Sequence, residues 1–205
     1  MKNLLTLTLL LICWACRPNT NSSTNDMGNA ETLSDSLSMT DSLLFDFDKF
    51  PIQKGSLGPL HIGMTIEKAE KLFTGLIKGE DEAGNFGFDG GGKSYLYYLN
   101  KELVFVLIPK LETDTILSIV AIHNNLTTTN GLHPNASVQQ IQALYPDMIV
   151  EHDLLNGWEI FHEATNQWQF VFITDENERI GDYPDLDAPS KPKRLQIQAD
   201  WITIF

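Results

Sequence analysis

Residues 60–73 read LHIGMTIEKAEKLF, and residues 132–145, which lie 72 positions later, read LHPNASVQQIQALY. Thr65 and Ser137 stand at matching positions in the two stretches, and the hydroxyl oxygen of either residue can accept a free backbone N–H at the start of a helix. In both stretches apolar residues then recur at the three- and four-residue spacing of one helical face. The pattern predicts two copies of one unit, each beginning with a short amphipathic helix.

The segments after the two helices have the alternation and β-branched content of strands. The predicted strands are 95–99, 103–108 and 116–122 in the first copy, and 148–155, 158–162, 167–173 and 195–204 in the second. The polar, glycine-rich segment 80–93 is predicted to be a loop. Asn156-Gly157 predicts a two-residue hairpin turn, which would place His162 opposite Glu151. The predicted fold class is α+β, with two tandem repeats that are each a short helical segment followed by an antiparallel β-meander.

The N-terminal residues 1–15 have the features of an export signal, with an apolar run at 4–12 and a small residue before Cys16. The apolar run is shorter than the roughly 20 residues that a membrane-spanning helix needs. The alternatives to a signal that is cleaved directly before Cys16 are an ordinary secretory signal cut nearby and an uncleaved anchor. The chain has one other cysteine, Cys13, and it lies within the signal. The folded part therefore has no cysteine pair for a disulfide.

The rest of the chain divides into three parts by composition. Residues 16–44 are rich in Ser, Thr, Asn and Asp and have no apolar periodicity, which is typical of a disordered tether. Residues 45–126 are predicted to hold repeat 1, and residues 127–205 repeat 2. Either repeat alone is too small to cover its own sheet face, so we expect the two repeats to pack together.

The segment around Cys16 resembles the processing site of bacterial lipoproteins, in the loose form found in Bacteroidota-like proteins. That resemblance implies an exported protein anchored in the cell envelope through lipid on Cys16. Leu60 and the segment 62–65 also resemble the tandem fold of β-lactamase inhibitor proteins and of the small lipoprotein of the barrel-assembly machinery. This second resemblance implies a non-enzymatic scaffold that binds another protein.

The net charge narrows the class of partner. The chain has 27 acidic and 14 basic side chains, for a formal charge of −13, and loss of residues 1–15 with their one lysine makes it −14. Nucleic acids and anionic headgroups bind basic faces, so this charge argues against both. It permits a basic protein partner or a divalent cation, and it suits a basic exported hydrolase that this chain would inhibit or neutralise.

Two motifs with possible chemistry have simpler interpretations. Residues 87–94 fit the spacing of a phosphate-binding loop, but that motif needs a helix after it, whereas 95–99 predicts a strand. His61 and His133 occupy equivalent positions, where packing in each copy is preferred to a shared zinc site. No nucleophile has a base at a catalytic spacing. We therefore predict no catalytic residue, no metal site and no cofactor.

Exposed aromatic side chains on a sheet make good anchors for a protein partner, and an acidic loop would orient a basic one. The predicted contact residues are Tyr95, Tyr97, Trp158, Trp168, Asp182, Tyr183 and Asp185. The alternative function is a domain that binds Ca²⁺ or a small ligand through the acidic loop 175–187, since Ca²⁺ takes six to eight oxygen ligands.

Overall fold

A computed structural model describes residues 45–185 and 188–205. The predictions for the signal 1–15, for the tether 16–44 and for lipid on Cys16 lie outside these residues. Within the described part, no helix has both the length and the apolar character needed to cross a membrane.

The described residues form short helices and many strands. The strands are β1 (Ile52–Gln53), β2 (Ser56–Leu57), β3 (Leu60–His61), β4 (Ile77–Glu82), β5 (Lys93–Leu99), β6 (Glu102–Pro109), β7 (Ile116–Ala121), β8 (Glu151–Asp153), β9 (Trp158–Glu163), β10 (Trp168–Phe172) and β11 (Trp201–Ile204). The α-helices are α1 (Ile66–Glu70) and α2 (Val138–Leu144), and single 3₁₀ turns cover Phe47–Lys49, Ala83–Phe86 and Glu176–Glu178.

The strands form two antiparallel sheets. β1, β2 and β3 make a small meander, and the other eight strands make one sheet in the order β4-β5-β6-β7-β11-β10-β9-β8. The strands from β4 to β7 are consecutive in the chain, as are those from β8 to β11, so each half of the sheet is a meander. The two halves join where β7 pairs with β11. Because short helices accompany a mainly antiparallel sheet, the structure is compatible with the predicted α+β class.

Both α-helices begin where the cap residues predict. The Thr65 hydroxyl oxygen accepts the backbone N–H of Lys68 at 3.4 Å. Ser137 accepts from Gln140 at 3.3 Å, and the Gln140 side chain accepts the backbone N–H of Ser137 at 2.8 Å, which completes a capping box. These bonds satisfy N–H groups that the first turn of a helix leaves free.

The start of each helix is also held by the segment that enters the last strand of its own half. Ile66 donates its backbone N–H to Asp114 O at 2.9 Å, and Val138 donates to Ile197 O at 2.8 Å. Thr65 pairs with Thr115 and Ser137 with Gln198 as isolated β-bridges. The helices are therefore attached to the sheet through the same kind of backbone contact.

Three predicted strand boundaries differ clearly from the structure, and one of them is that of strand 148–155, which is shortened to β8. Strand β4 lies partly in the segment predicted as loop; its residues are exposed apart from Gly79, so this edge strand has none of the alternation that marks a half-buried strand. The predicted strand 195–204 is confined to β11. The carbonyl groups of Leu195 and Ile197 accept hydrogen bonds from the start of α2, so they are not available to a neighbouring strand.

The predicted register of the β8–β9 hairpin is wrong. Glu151 faces Ile160, not His162, because the connection has four residues between Asp153 and Trp158. The Asp153 carboxylate accepts the backbone N–H groups of Leu155 at 3.0 Å and Asn156 at 3.3 Å. This local turn of the aspartate side chain opens the connection beyond two residues.

The large sheet has a helix-bearing face and a helix-free face. The helix-bearing face carries most of the core, including Phe105, Ile119, Phe170 and Ile202, together with buried residues of α1 and α2. A smaller cluster lies on the other face and comprises Ala83, Leu96, Val106, Ile108, Val120, Val171 and Trp201. The helix-free face is therefore covered by a chain segment around Ala83 instead of a helix.

Candidate functional site

A hollow of about 420 Å³ lies on the helix-free face, between the β4–β5 connection and the strands of the second half. Ile108, Ile160 and Val171 line it from the sheet. Phe86 and Phe88, from the β4–β5 connection, line it from above. The hollow therefore forms between parts of the chain that are distant in sequence.

Aromatic contacts hold the β4–β5 connection over the second half of the sheet. Phe86 packs against Trp201 with ring centroids 6.0 Å apart, and Phe88 lies 6.4 Å from Phe205. Gly87 between them has a left-handed φ of 85°, and a Cβ built there would stand 3.1 Å from a ring carbon of Trp158. Glycine therefore allows both the turn and the close approach to the indole.

The rim of the hollow is apolar and open to solvent. Leu111 is 53% exposed, Leu117 is 45% exposed and Phe205 is 36% exposed. Single exposed apolar residues are ordinary, but several that surround one hollow form a patch of the kind that marks an interaction surface. The hollow thus combines an apolar floor, aromatic walls and an exposed apolar rim.

The charged side chains that line this hollow are Asp89 and Asp153. Asp89 is exposed, on the connection that also contains Gly90 and Gly91. Burial opposes ionisation of Asp153, but hydrogen bonds from the Asn156 side chain and from the backbone of Asn156 and Leu155 outweigh it and hold the pKa of Asp153 below its usual value. The lowered pKa keeps Asp153 negative at neutral pH, and together with the exposed Asp89 this carboxylate gives the apolar hollow an acidic border.

Of the predicted contact residues, Trp158 lies at this surface, whereas Tyr95 packs against the core of the helix-bearing face. Trp158 is half-buried and forms part of the wall of the hollow. Tyr95 lines an adjoining hollow with Lys110 and Leu111, and the Lys78 ammonium stands 4.1 Å from the centre of its ring. The structure therefore places Trp158, and not Tyr95, at the hollow on the helix-free face.

Tyr97 and Trp168 are core residues, which corrects their assignment as contact residues. Tyr97 is 2% exposed and donates its hydroxyl hydrogen to Glu70 Oε1 at 2.8 Å. Trp168 is 1% exposed and donates its indole N–H to Gln53 O at 3.3 Å. Strand alternation turns both side chains to the helix-bearing face, so neither ring reaches the surface.

Asp182, Tyr183 and Asp185 are placed on a different part of the molecule from the hollow. Asp182 forms an ion pair with Lys193, and the Tyr183 hydroxyl donates to Glu159 Oε1 at 2.8 Å. Asp185 is exposed. In the described part of the acidic loop and elsewhere in the described chain, no three acidic, histidine or cysteine side chains are grouped so as to hold a metal ion.

The segment that fits the spacing of a phosphate-binding loop continues into a strand. β5 begins at Lys93, where such a loop would lead into a helix, and the Lys93 ammonium binds Glu80 Oε2 on the neighbouring strand at 2.8 Å. Its function as a wall of the hollow was missed from sequence. Phe86 and Phe88 are the available signal, because two phenylalanines in a glycine-rich loop need an apolar surface to cover.

Comparison of the chain with models of protein families gives no match, and comparisons with curated proteins and with solved structures give none either.

Proposed function

We propose that this protein is an envelope lipoprotein, anchored through lipid on Cys16, whose folded part is a non-enzymatic module that binds a basic protein. The observation that carries the proposal is the apolar hollow on the helix-free face. Its exposed rim residues, Leu111 and Leu117, are unexplained by packing within the chain but are suited to burial against a partner.

The fold proposed here is a tandem pair of helix-plus-meander units. Its support is that equivalent backbone contacts recur in the two halves. Thr65 and Ser137, 72 positions apart, cap the helices, while their bridge partners Thr115 and Gln198 are 83 positions apart. The same offset of 83 relates the carbonyl acceptors Asp114 and Ile197. A duplicated unit explains why unrelated side chains make the same backbone contacts at these positions.

The occupant proposed for the hollow is a protein segment with an apolar or aromatic side chain flanked by Lys or Arg. The apolar side chain would fill the space between Phe88, Trp158 and Leu117. The flanking cation would meet Asp89 or Asp153, the acidic groups on the border. The net charge of −13 would also attract a basic protein from a distance, so association should be fast and sensitive to salt.

The absence of enzymatic activity is supported by the state of the acidic groups. The Asp153 oxygens accept hydrogen bonds from Leu155 and Asn156, so this carboxylate is engaged in holding a turn. Asp89 is exposed and lies on a glycine-rich segment, which does not position a group for catalysis. Binding chemistry fits both residues. Inhibition of a basic exported hydrolase is the specific form of this proposal.

The experiment is site-specific photocrosslinking in intact cells that express the full chain. A photoreactive amino acid placed at Leu111 is combined with Leu117→Asp, and the matched control is Leu72→Asp, on an apolar residue of similar exposure near α1. We expect a basic protein to be crosslinked, at a yield that falls at least about fivefold with Leu117→Asp and is unchanged with Leu72→Asp, because a desolvated carboxylate is costly in an apolar contact.

A second step separates a real partner from a bystander. The captured protein, and a lysozyme as a basic hydrolase probe, are titrated against the purified full chain at about 50 and about 300 mM salt. Binding that weakens with salt and with Leu117→Asp supports the proposal. Equal crosslinking yields in Leu117→Asp and Leu72→Asp would show that the hollow is not the contact surface. Equal affinity of the captured protein for the two variants would show the same.

A further inference from the structure

A second hollow, also of about 420 Å³, lies in the segment that was predicted as an acidic loop. Its charged lining is mainly basic, with Arg179, Lys193 and Arg194 against Glu176 and Asp182. These cations stand out in a chain with 27 acidic side chains. Its described lining residues come from two segments, 176–183 and 193–194.

The two arginines at this hollow carry the unbalanced positive charge. Lys193 is paired with Asp182. Among the described residues, the ion pairs found involve neither Arg179 nor Arg194. The guanidinium group is a planar fork of N–H donors, which matches the oxygens of a carboxylate or phosphate. Two guanidinium groups at one hollow therefore have the chemistry that is needed to bind an anion.

One donor of Arg179, its Nε, is buried. This atom is shielded from solvent and has no hydrogen-bond partner among the described residues. Buried donors are paired in most structures because an unpaired one loses its hydration without compensation. Because protein atoms cover Nε, a ligand in the hollow would reach the terminal N–H groups of Arg179 and not this atom.

The backbone that carries Arg179 is fixed from below by Glu159. This fully buried carboxylate accepts the backbone N–H groups of Ile180 and Gly181, each at 2.7 Å, and the hydroxyl of Tyr183 at 2.8 Å. Gly181 is closely packed, since a Cβ built there would lie 2.7 Å from the Tyr183 hydroxyl oxygen. The hollow is thus preorganised, which reduces the entropy that ligand binding would cost.

We propose that this hollow binds the oxyanion group of a small molecule, a phosphate or a carboxylate, through the guanidinium groups of Arg179 and Arg194. Tyr183 forms the aromatic wall of the hollow. Its ring stacks on the ring of His152, with 5.2 Å between the centroids. Glu176 and Asp182 limit the excess of positive charge, so binding is selective for a group that engages both guanidinium forks. The positive lining thus makes this part of the loop a site for an anion.

The test is a titration of the ¹⁵N-labelled full chain with inorganic phosphate and, separately, with citrate, at constant ionic strength. The readout is the side-chain Nε–Hε signals of the arginines. Arg179→Lys keeps the charge but removes the first guanidinium fork, Arg194→Gln removes the second fork, and Lys101→Gln is an exposed control on the β5–β6 turn. Backbone amide spectra establish that each variant is folded.

We expect saturable shifts of the Arg179 signal with at least one anion, and affinity that falls at least about tenfold in Arg179→Lys and in Arg194→Gln but stays unchanged in Lys101→Gln. A response to phosphate alone assigns a phosphate ligand, and a response to citrate alone assigns a carboxylate. If Arg179→Lys does not fold, Arg194→Gln decides.

No saturable shift with either anion, or equal binding by Arg194→Gln and the unsubstituted chain, overturns the proposal. Partner crosslinking at Leu111 is independent of this result, because the two hollows share no lining residue.

Discussion

Val120 and Thr203 face each other where β7 meets β11, and the pairs on either side of them are mirror-related, Ile119 with Ile204 and Ala121 with Ile202. An offset of 83 positions exchanges these two flanking pairs and returns the central pair to itself. The join between the two halves of the sheet thus has local twofold character. If the halves are copies of one unit, equivalent substitutions in them should have equivalent effects.

The helix caps provide that comparison. Thr65→Ala and Ser137→Ala should each lower the free energy of unfolding by about 1 kcal/mol, because each removes the acceptor for an N–H of the first helical turn. Ser137→Ala should cost more, since its capping box is reciprocal. Urea denaturation measures both, and Thr129→Ala, at an exposed threonine, is the control. A neutral result at one cap would mean that the two helix starts are not equivalent.

Gly58 should be among the least replaceable residues of the N-terminal meander. Its φ is +53°, and a Cβ built there would lie 2.1 Å from Lys49 O. Gly58→Ala should therefore cost about 3 kcal/mol or more, from left-handed strain combined with a steric clash against backbone. Gly131→Ala is the matched control, because Gly131 has φ +86° but open space around it, and should cost about 1–2 kcal/mol. Equal losses in urea denaturation would show that the clash is relieved by movement.

Glu159 should act as the anchor of the loop that follows β10. Its carboxylate accepts from Ile180, Gly181, Thr174 and Tyr183, all at 2.7–2.8 Å. Glu159→Gln replaces an acceptor oxygen by a donor that faces donors, so we expect a loss of about 3 kcal/mol. Hydrogen exchange should become faster at the backbone amides of Ile180 and Gly181 before it becomes faster in the strands.

The control for this anchor is Tyr183→Phe, which removes one of the four donors and should cost about 1 kcal/mol. Unchanged exchange at Ile180 in Glu159→Gln would contradict the anchoring role.

Glu163 should contribute stability that depends on pH. Burial opposes its ionisation, but backbone N–H groups of Asn166 at 2.7 Å and Thr165 at 3.0 Å outweigh it and lower its pKa. A carboxyl group with a lowered folded pKa stabilises the protein above its unfolded pKa, about 4.3, and loses that contribution as the pH falls through the folded value.

Glu163→Gln should therefore be less stable than the unsubstituted chain at pH 7, by about 1–2 kcal/mol, and the difference should shrink below about pH 4. Urea denaturation at a series of pH values measures it, with the exposed Glu178→Gln as control. A difference that is constant from pH 7 to pH 3 would rule out the linkage.

The features that the sequence predicted are those with local causes. Thr65 and Ser137 predict the two helix starts, because the side chain of a cap residue accepts a hydrogen bond from a residue three positions away. Asn100-Lys101 lies between two predicted strands and forms their turn, with Leu99 facing Glu102 and Asn100 at a left-handed φ of 58°. Each of these depends on neighbouring residues.

The features that only the tertiary structure decided are long-range. Alternation shows that Trp158 and Trp168 lie on strands, but only the pairing of the strands decides that Trp168 is in the core and Trp158 is in the hollow. The site also needs Phe86 and Phe88 to cross from the first half to the second. A backbone hydrogen bond of a helix or turn is encoded within a few residues. The packing of a loop on a distant sheet face depends instead on which surface the whole chain leaves uncovered.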